Sequence, residues 1–190
     1  MARLLACWLC CAIALSAHAD TRFVATVGFQ QSLRLTGSEV ITIELRAHPT
    51  AQVLLVEQLG IDVKLSVLGE QTSRSNPTGA WGPESIVSTQ ARSISIRPKS
   101  PGSPAGRIKI RVLSGLSPAQ IELWRNWSAA AKANGLATAQ GYADALSTMR
   151  IVAVGATGEY RVAARYSIAS LLRNLNQHSA ALEAYNDLLN

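Results

Sequence analysis

The chain has 190 residues, 48% of them hydrophobic and 16% charged, and carries a formal net charge of +6. That balance excludes a disordered tail, and the length allows one large domain or two small ones. All three cysteines (Cys7, Cys10, Cys11) fall at the N-terminal end, so the remainder is without disulfides, thiolate catalysis or a thiolate metal site.

The N-terminal segment has the layout of an export signal. Arg3 supplies the positive start, Leu4 to Leu15 the apolar run, and Ala17-His18-Ala19 a small-x-small cleavage site before Asp20. The run is too short to span a bilayer, which takes about 20 residues. The short run and clean site disfavour a retained anchor, and none of the cysteines follows a full apolar run as lipoprotein processing requires. The expectation is therefore a signal peptide over 1–19, cut between Ala19 and Asp20. The mature chain is then exported to the periplasm or the extracellular space, with no transmembrane segment.

Residues 20–36 read as an N-terminal extension or a first strand. From Gly37 to Val112 the apolar residues recur with period two: Ile41, Ile43 and Leu45; Val53 and Leu55; Val63, Leu65 and Val67; Ile94 and Ile96; Ile108, Ile110 and Val112. Alternating Ile/Val-rich segments between turns indicate antiparallel strands with one buried face. The turns stand at His48-Pro49-Thr50, Leu59-Gly60, Asn76-Pro77-Thr78-Gly79 and Ser100-Pro101-Gly102-Ser103-Pro104. A β-sandwich over 37–115, with jelly-roll-like order, is expected.

After Gly115 the period becomes helical. Ser117-Pro118 is an N-cap followed by proline at the first helical position, and Ile121, Leu123, Trp124, Trp127, Ala130 and Ala131 recur until Asn134-Gly135 closes the segment. A second helix is expected from Thr138 to Val154, a third from Glu159 to Asn174, and a fourth from Ser179 to the end. Residues 116–158 then form a helical hairpin, read as a degenerate repeat. Residues 159–190 form a second hairpin, with Ala169, Leu172, Ala181 and Tyr185 on its apolar stripes. Such a repeat buries its apolar face only against neighbours. The last hairpin is therefore expected to be a truncated unit of a longer solenoid. The fold class is α+β in two segments, an antiparallel sandwich followed by helical hairpins.

Three stretches carry a resemblance: Val56-Glu57-Gln58-Leu59-Gly60-Ile61-Asp62-Val63, the run from Asn76 to Glu84, and Pro104-Ala105-Gly106-Arg107-Ile108-Lys109-Ile110. In order and placement they resemble exported bacterial tetratricopeptide-repeat proteins that often end in a caspase-like CHAT domain. The front domain of that family is similar to the pre-peptidase C-terminal sandwich. The likeness runs from about Ile41 to Asn190. Departures are the His48-Pro49-Thr50 turn, Gly69-Glu70 in place of a proline turn, Arg165 for a bulky apolar residue and Leu188 for a small one. The resemblance implies a neighbouring peptidase in a longer product, and carries over no catalytic residue.

Catalysis has little to stand on. Beyond the leader the histidines are His48, beside a turn proline, and His178, in an inter-helix turn, and neither sits in a nucleophile-and-base pattern. No enzyme, cofactor or metal site is expected: calcium needs six or more oxygen ligands, and Glu57, Asp62 and Glu84 are too few. The strongest positive feature is basic. Arg97, Arg107, Lys109 and Arg111 share one outer face if the last two strands pair as a hairpin. That face is a candidate contact for acidic polysaccharide or an anionic surface, weighed against an ordinary solvated strand face. Nucleic acid is not expected, since no aromatic residues interleave these charges. Trp124 and Trp127 are expected to seal the first helix against the sandwich or the next helix.

The functional expectation is a non-catalytic exported scaffold or interaction module that binds a protein or peptide through its tetratricopeptide-like helices. One alternative is a regulatory or targeting region for a caspase-like peptidase. The other is a carbohydrate- or anionic-surface-binding sandwich on a helical stalk.

Overall fold

The computed structural model describes residues 20–189. The expected signal peptide, Ala19 included, lies outside the described residues. Eight strands come first: β1 (Asp20–Ala25), β2 (Gln30–Leu35), β3 (Val40–Leu45), β4 (Gln52–Leu59), β5 (Val63–Val67), β6 (Trp81–Ser88), β7 (Arg92–Pro98) and β8 (Gly106–Leu113). Four helices follow: α1 (Pro118–Asn134), α2 (Ala139–Gly155), α3 (Gly158–Asn174) and α4 (His178–Asn186).

The strands make two four-stranded sheets, ordered β1-β3-β7-β5 and β2-β8-β4-β6. β1 runs parallel to β3, and every other pair is antiparallel. Each consecutive strand switches sheets, so no strand pairs with its neighbour in sequence. With the isolated bridge from Leu65 to Arg74 extending the first sheet beyond β5, the order is that of a jelly roll. Two expectations change as a result. Residues 20–36 hold two strands, one in each sheet, and not an extension or a single strand. β7 and β8 lie in different sheets, so the hairpin that would have aligned Arg97 with Arg107, Lys109 and Arg111 does not form.

The first core lies between the sheets, where Ile41, Ile43, Leu65, Ile94 and Ile96 meet Leu54, Val56, Ile86, Ile108 and Ile110. A second core lies on the outer face of the second sheet. There Val53 and Leu55 of β4 pack with Trp124, Trp127, Met149, Leu171 and Leu172 from the helices. β4 is therefore buried on both faces through its centre, and β6 nearly so. β6 escaped the period-two reading because Pro83, Glu84 and Ser85, though buried, interrupt any apolar pattern. Its Pro83 is tolerated because β6 is the edge strand of its sheet.

The α1 start follows the expected chemistry. The Gln120 backbone N–H donates to Ser117 Oγ at 3.3 Å, and the Ser117 N–H donates to Gln120 Oε1 at 2.9 Å, which completes a capping box. The stop at Gly135 has a different cause from the one anticipated. Gly135 is right-handed, and the left-handed residue beyond the helix is Ala137. What Gly135 provides is room, since a Cβ there would stand 2.1 Å from the Ser73 carbonyl oxygen. α1 packs on β6 and β4, each helix packs on the next, and α3 returns to touch β6.

Because Leu55 joins sheet to helices, Leu55→Ala should cost about 2–5 kcal/mol. It should shift the urea transitions of helical circular dichroism and tryptophan fluorescence together. A shift in one signal alone would show that the two cores melt separately.

Candidate functional site

The junction between sandwich and helices is built from aromatic rings and a few committed charges. Trp127 is fully buried and its Nε1 donates to the Pro83 carbonyl oxygen at 2.9 Å. The Trp124 ring lies 5.8 Å from that of Trp127, and Tyr160 of α3 meets Trp124 edge-on at 5.1 Å and 82°. The Tyr160 hydroxyl donates to Glu57 Oε1 at 2.9 Å. Arg111 Nη2 reaches the same carboxylate oxygen at 2.6 Å and the tyrosine oxygen at 2.9 Å. Burial, then the bond to Glu57, pushes the Tyr160 phenol up to about 12, so it stays a neutral donor.

A second tie fixes the 70–76 loop to α1. Arg74 Nε donates to Ser128 Oγ at 2.9 Å, while Glu70 pairs with Arg74 at 3.0 Å and with Lys132 at 3.2 Å. Burial pulls the Glu70 carboxyl upward, but the bonds from Arg74 and Lys132 outweigh it and hold the group below its ordinary value. The Ser75 N–H donates to the Ala131 carbonyl at 3.1 Å, and Asn134 Nδ2 to the Ser75 carbonyl at 2.7 Å.

Between these ties the molecule is concave. One cleft of about 680 Å³ lies between the Leu59 end of β4, the start of β6 and α3. Its apolar lining is open, with Trp81 62%, Val162 57%, Leu59 49% and Tyr166 41% exposed. These four side chains thus form an exposed apolar cluster within a hollow. A second cleft, of about 440 Å³, is polar and is lined by Asp62, Lys64, Lys99, Tyr142 and Arg173 among others. Thr78 and Tyr166 line both clefts, so the two adjoin and together make up the groove between sandwich and helices.

Under the groove lies a buried acid. Glu84 is wholly inside, with Oε1 accepting from the Asn76 backbone N–H; its Oε2 has no protein partner, and neither do Asp62 Oδ1 and Asn76 Oδ1. Burial, reinforced by the nearby Asp62, pushes the Glu84 carboxyl up to about 8 against the opposing bond from Asn76 and the charges of Lys99 and Arg74. Burial also raises Asp62, although Lys99 Nζ stands 3.3 Å from its Oδ2.

The basic residues singled out from the sequence are dispersed. Arg97 is exposed on β7, in the first sheet, opposite Lys64 of β5. Arg107 is exposed on β8 opposite Arg34, Lys109 borders the apolar cleft, and Arg111 is committed to Glu57 and Tyr160. Asp20 opens β1, and its Oδ1 accepts from Thr42 Oγ1 at 3.3 Å. Ala169, Leu172 and Ala181 are buried and Tyr185 is half-buried, its ring 5.3 Å from that of Tyr166 and its hydroxyl 3.0 Å from Ser170 Oγ. His48 sits in the β3–β4 connection with Nδ1 3.0 Å from Thr50 Oγ1, far in sequence from the exposed His178 at the start of α4. Among the described residues no group of three His, Cys, Asp or Glu side chains could hold a metal ion, and no helix is long and apolar enough to cross a membrane. The sequence reading missed Glu57, Trp81 and Tyr160 as junction residues. An exposed tryptophan beside Gly82-Pro83 was the one available signal.

No family model matches the sequence, and no curated protein matches it. Among solved structures, the pre-peptidase C-terminal domain of a Bacillus anthracis collagenase is 10% identical, covers 50% of this chain and 95% of its own, and gives a TM-score of 0.34. A mutant of PliG, a periplasmic lysozyme inhibitor of g-type lysozyme from Escherichia coli, is 13% identical over 50% of this chain and 99% of its own, with a TM-score of 0.35. A de novo designed double-stranded β-helix is 14% identical over 44% and 97%, with a TM-score of 0.32. Scores of this size support no argument about function.

Two outcomes test the buried chemistry. Glu84 is protonated in the fold up to about pH 8 and ionised in the unfolded chain above its ordinary value of 4.5. The contribution of Glu84 to stability is therefore greatest below pH 4.5 and falls as pH rises toward 8, by up to roughly 1 kcal/mol per unit. Glu84→Gln should flatten that slope in urea titrations between pH 5 and 8; an unchanged slope would place the titration elsewhere. Tyr160→Phe leaves Glu57 and Arg111 short of one partner and should cost about 1–2 kcal/mol by the same measurement.

Proposed function

We propose that the chain is a non-catalytic interaction module of an exported protein, and that the groove between the sandwich and α3 is where it holds a protein partner. The single observation behind this is the clustering of Leu59, Trp81, Val162 and Tyr166, all open to solvent, in one hollow between rigid elements. Pockets at the meeting of two structural units are the usual sites of recognition. The sandwich gives the groove one rigid wall and α3 gives the other.

In this reading α3 and α4 are one tetratricopeptide-like unit. The small Ala169 and Ala181 are buried, and the polar turn Leu175 to Gln177 joins the helices. Leu182 and Leu189 on the far side are exposed, which suits a unit that takes a neighbour there. Export rests on the positive start at Arg3, the N-terminal apolar run and the small-x-small site Ala17-His18-Ala19. The partner is met in the periplasm or outside the cell.

The test is site-specific photo-crosslinking in the native host. A benzoyl-phenylalanine in place of Trp81 should give a discrete protein adduct. The same group at Ser95, on the first sheet away from the helices, should give none. Equal patterns from the two positions would remove the groove from recognition.

A further inference from the structure

The two halves of the groove differ in chemistry, and that difference describes the occupant. On the reading that the groove binds a protein, we infer that it takes an extended peptide segment with a carboxylate at one end and a large apolar side chain at the other. The apolar end is the hollow of Leu59, Trp81 and Val162. The cationic end is the polar cleft, where Lys64, Lys99 and Arg173 face a single acid, Asp62.

The charge balance decides the ligand. Lys99 is paired with Asp62 at 3.3 Å, which leaves Lys64 and Arg173 without an ion pair among the described residues. Lys64 also stands directly opposite Arg97 across the β5–β7 pair, and like charges so placed weaken a sheet. Lys64 has no ion pair and is opposed by Arg97, and Arg173, in the last turn of α3, is favoured only by the helix end. They gain from an arriving anion, because a lysine and an arginine around a hollow make a site for a carboxylate. Thr78 and Tyr166 border both clefts, so the polar and apolar ends adjoin there, with the buried Thr78 hydroxyl held by the Trp81 carbonyl. A free small anion would use only the polar end and would leave Trp81 in water. An extended chain uses both.

Peptide selection tests this. Random twelve-residue peptides on phage are panned against the purified chain, and the best binder is synthesised and titrated by fluorescence anisotropy. The enriched peptides should carry Asp, Glu or a free C-terminal carboxylate at a fixed distance from an aromatic or aliphatic residue. Binding should weaken with salt, and by at least tenfold in Trp81→Ala and in the double variant Lys64→Glu/Arg173→Glu, which leaves the Lys99–Asp62 pair in place. Lys64→Gln/Arg173→Gln serves as the second charge variant should the reversal fail to fold. Peptides that need Trp81 but ignore the cations would overturn the acidic end while leaving recognition by the groove intact. Peptides indifferent to both, or none enriched, would remove both readings. Retention on a heparin column that depends on Lys64 and Arg173, with no peptide enriched, would assign the cationic cleft to an acidic glycan and overturn the proposal.

Discussion

The structure depends on a strand with no wet face. β4 sends Leu54 and Val56 into the sandwich and Val53 and Leu55 into the helices, so one stretch of backbone is a wall of two cores. A sheet face left apolar in this way cannot stand in water, and burying each such side chain is worth about 1.5–3 kcal/mol. The helices are therefore a required layer of the strand domain and not a pendant. Trp124 and Trp127 provide the bulk that fills the gap, and Trp127 closes the arrangement with its bond to Pro83.

This constraint places the groove. α1 must lie over β4 and β6 to cover their outer face, which carries α3 past the rim of the sandwich at Tyr160 and Tyr166. The charges at the junction then divide by whether they have partners. Glu57, Arg111, Arg74 and Glu70 are held within the seam, where bonds to neutral and oppositely charged groups offset their burial. Lys64 and Arg173 stand at the mouth of the hollow with no such partner. Glu84 lies beneath, kept neutral by burial at ordinary pH, so that the floor of the groove adds little negative charge.

Helical boundaries were readable because they are set locally. Ser117 caps α1 with Gln120 and Thr138 caps α2 at Gly141 N, and both bonds run within a few residues of chain. The strands with one buried face were equally plain, since β3, β5 and β7 alternate in sequence as they do in burial. β6 was hidden because its buried centre includes Pro83, Glu84 and Ser85, which leave no apolar pattern. The basic face drawn across β7 and β8 failed for a different reason. Nearness in sequence suggested a hairpin, but in a roll whose every connection changes sheets, adjacent strands never share a face.

What the amino-acid order alone determined is the succession of a strand-rich part and a helical part, the helix caps, and the inward residues of the singly covered strands. Each of these follows from backbone geometry and from side chains a few positions apart. Which sheet a strand joins, that Glu57 meets Tyr160 and Arg111, and that the cleft bordered by Trp81 adjoins the one bordered by Lys64 and Arg173 were decided only by the packed molecule. Those contacts link residues up to 103 positions apart. They exist because an apolar outer sheet face had to be covered, and no local pattern records where the covering layer comes to rest.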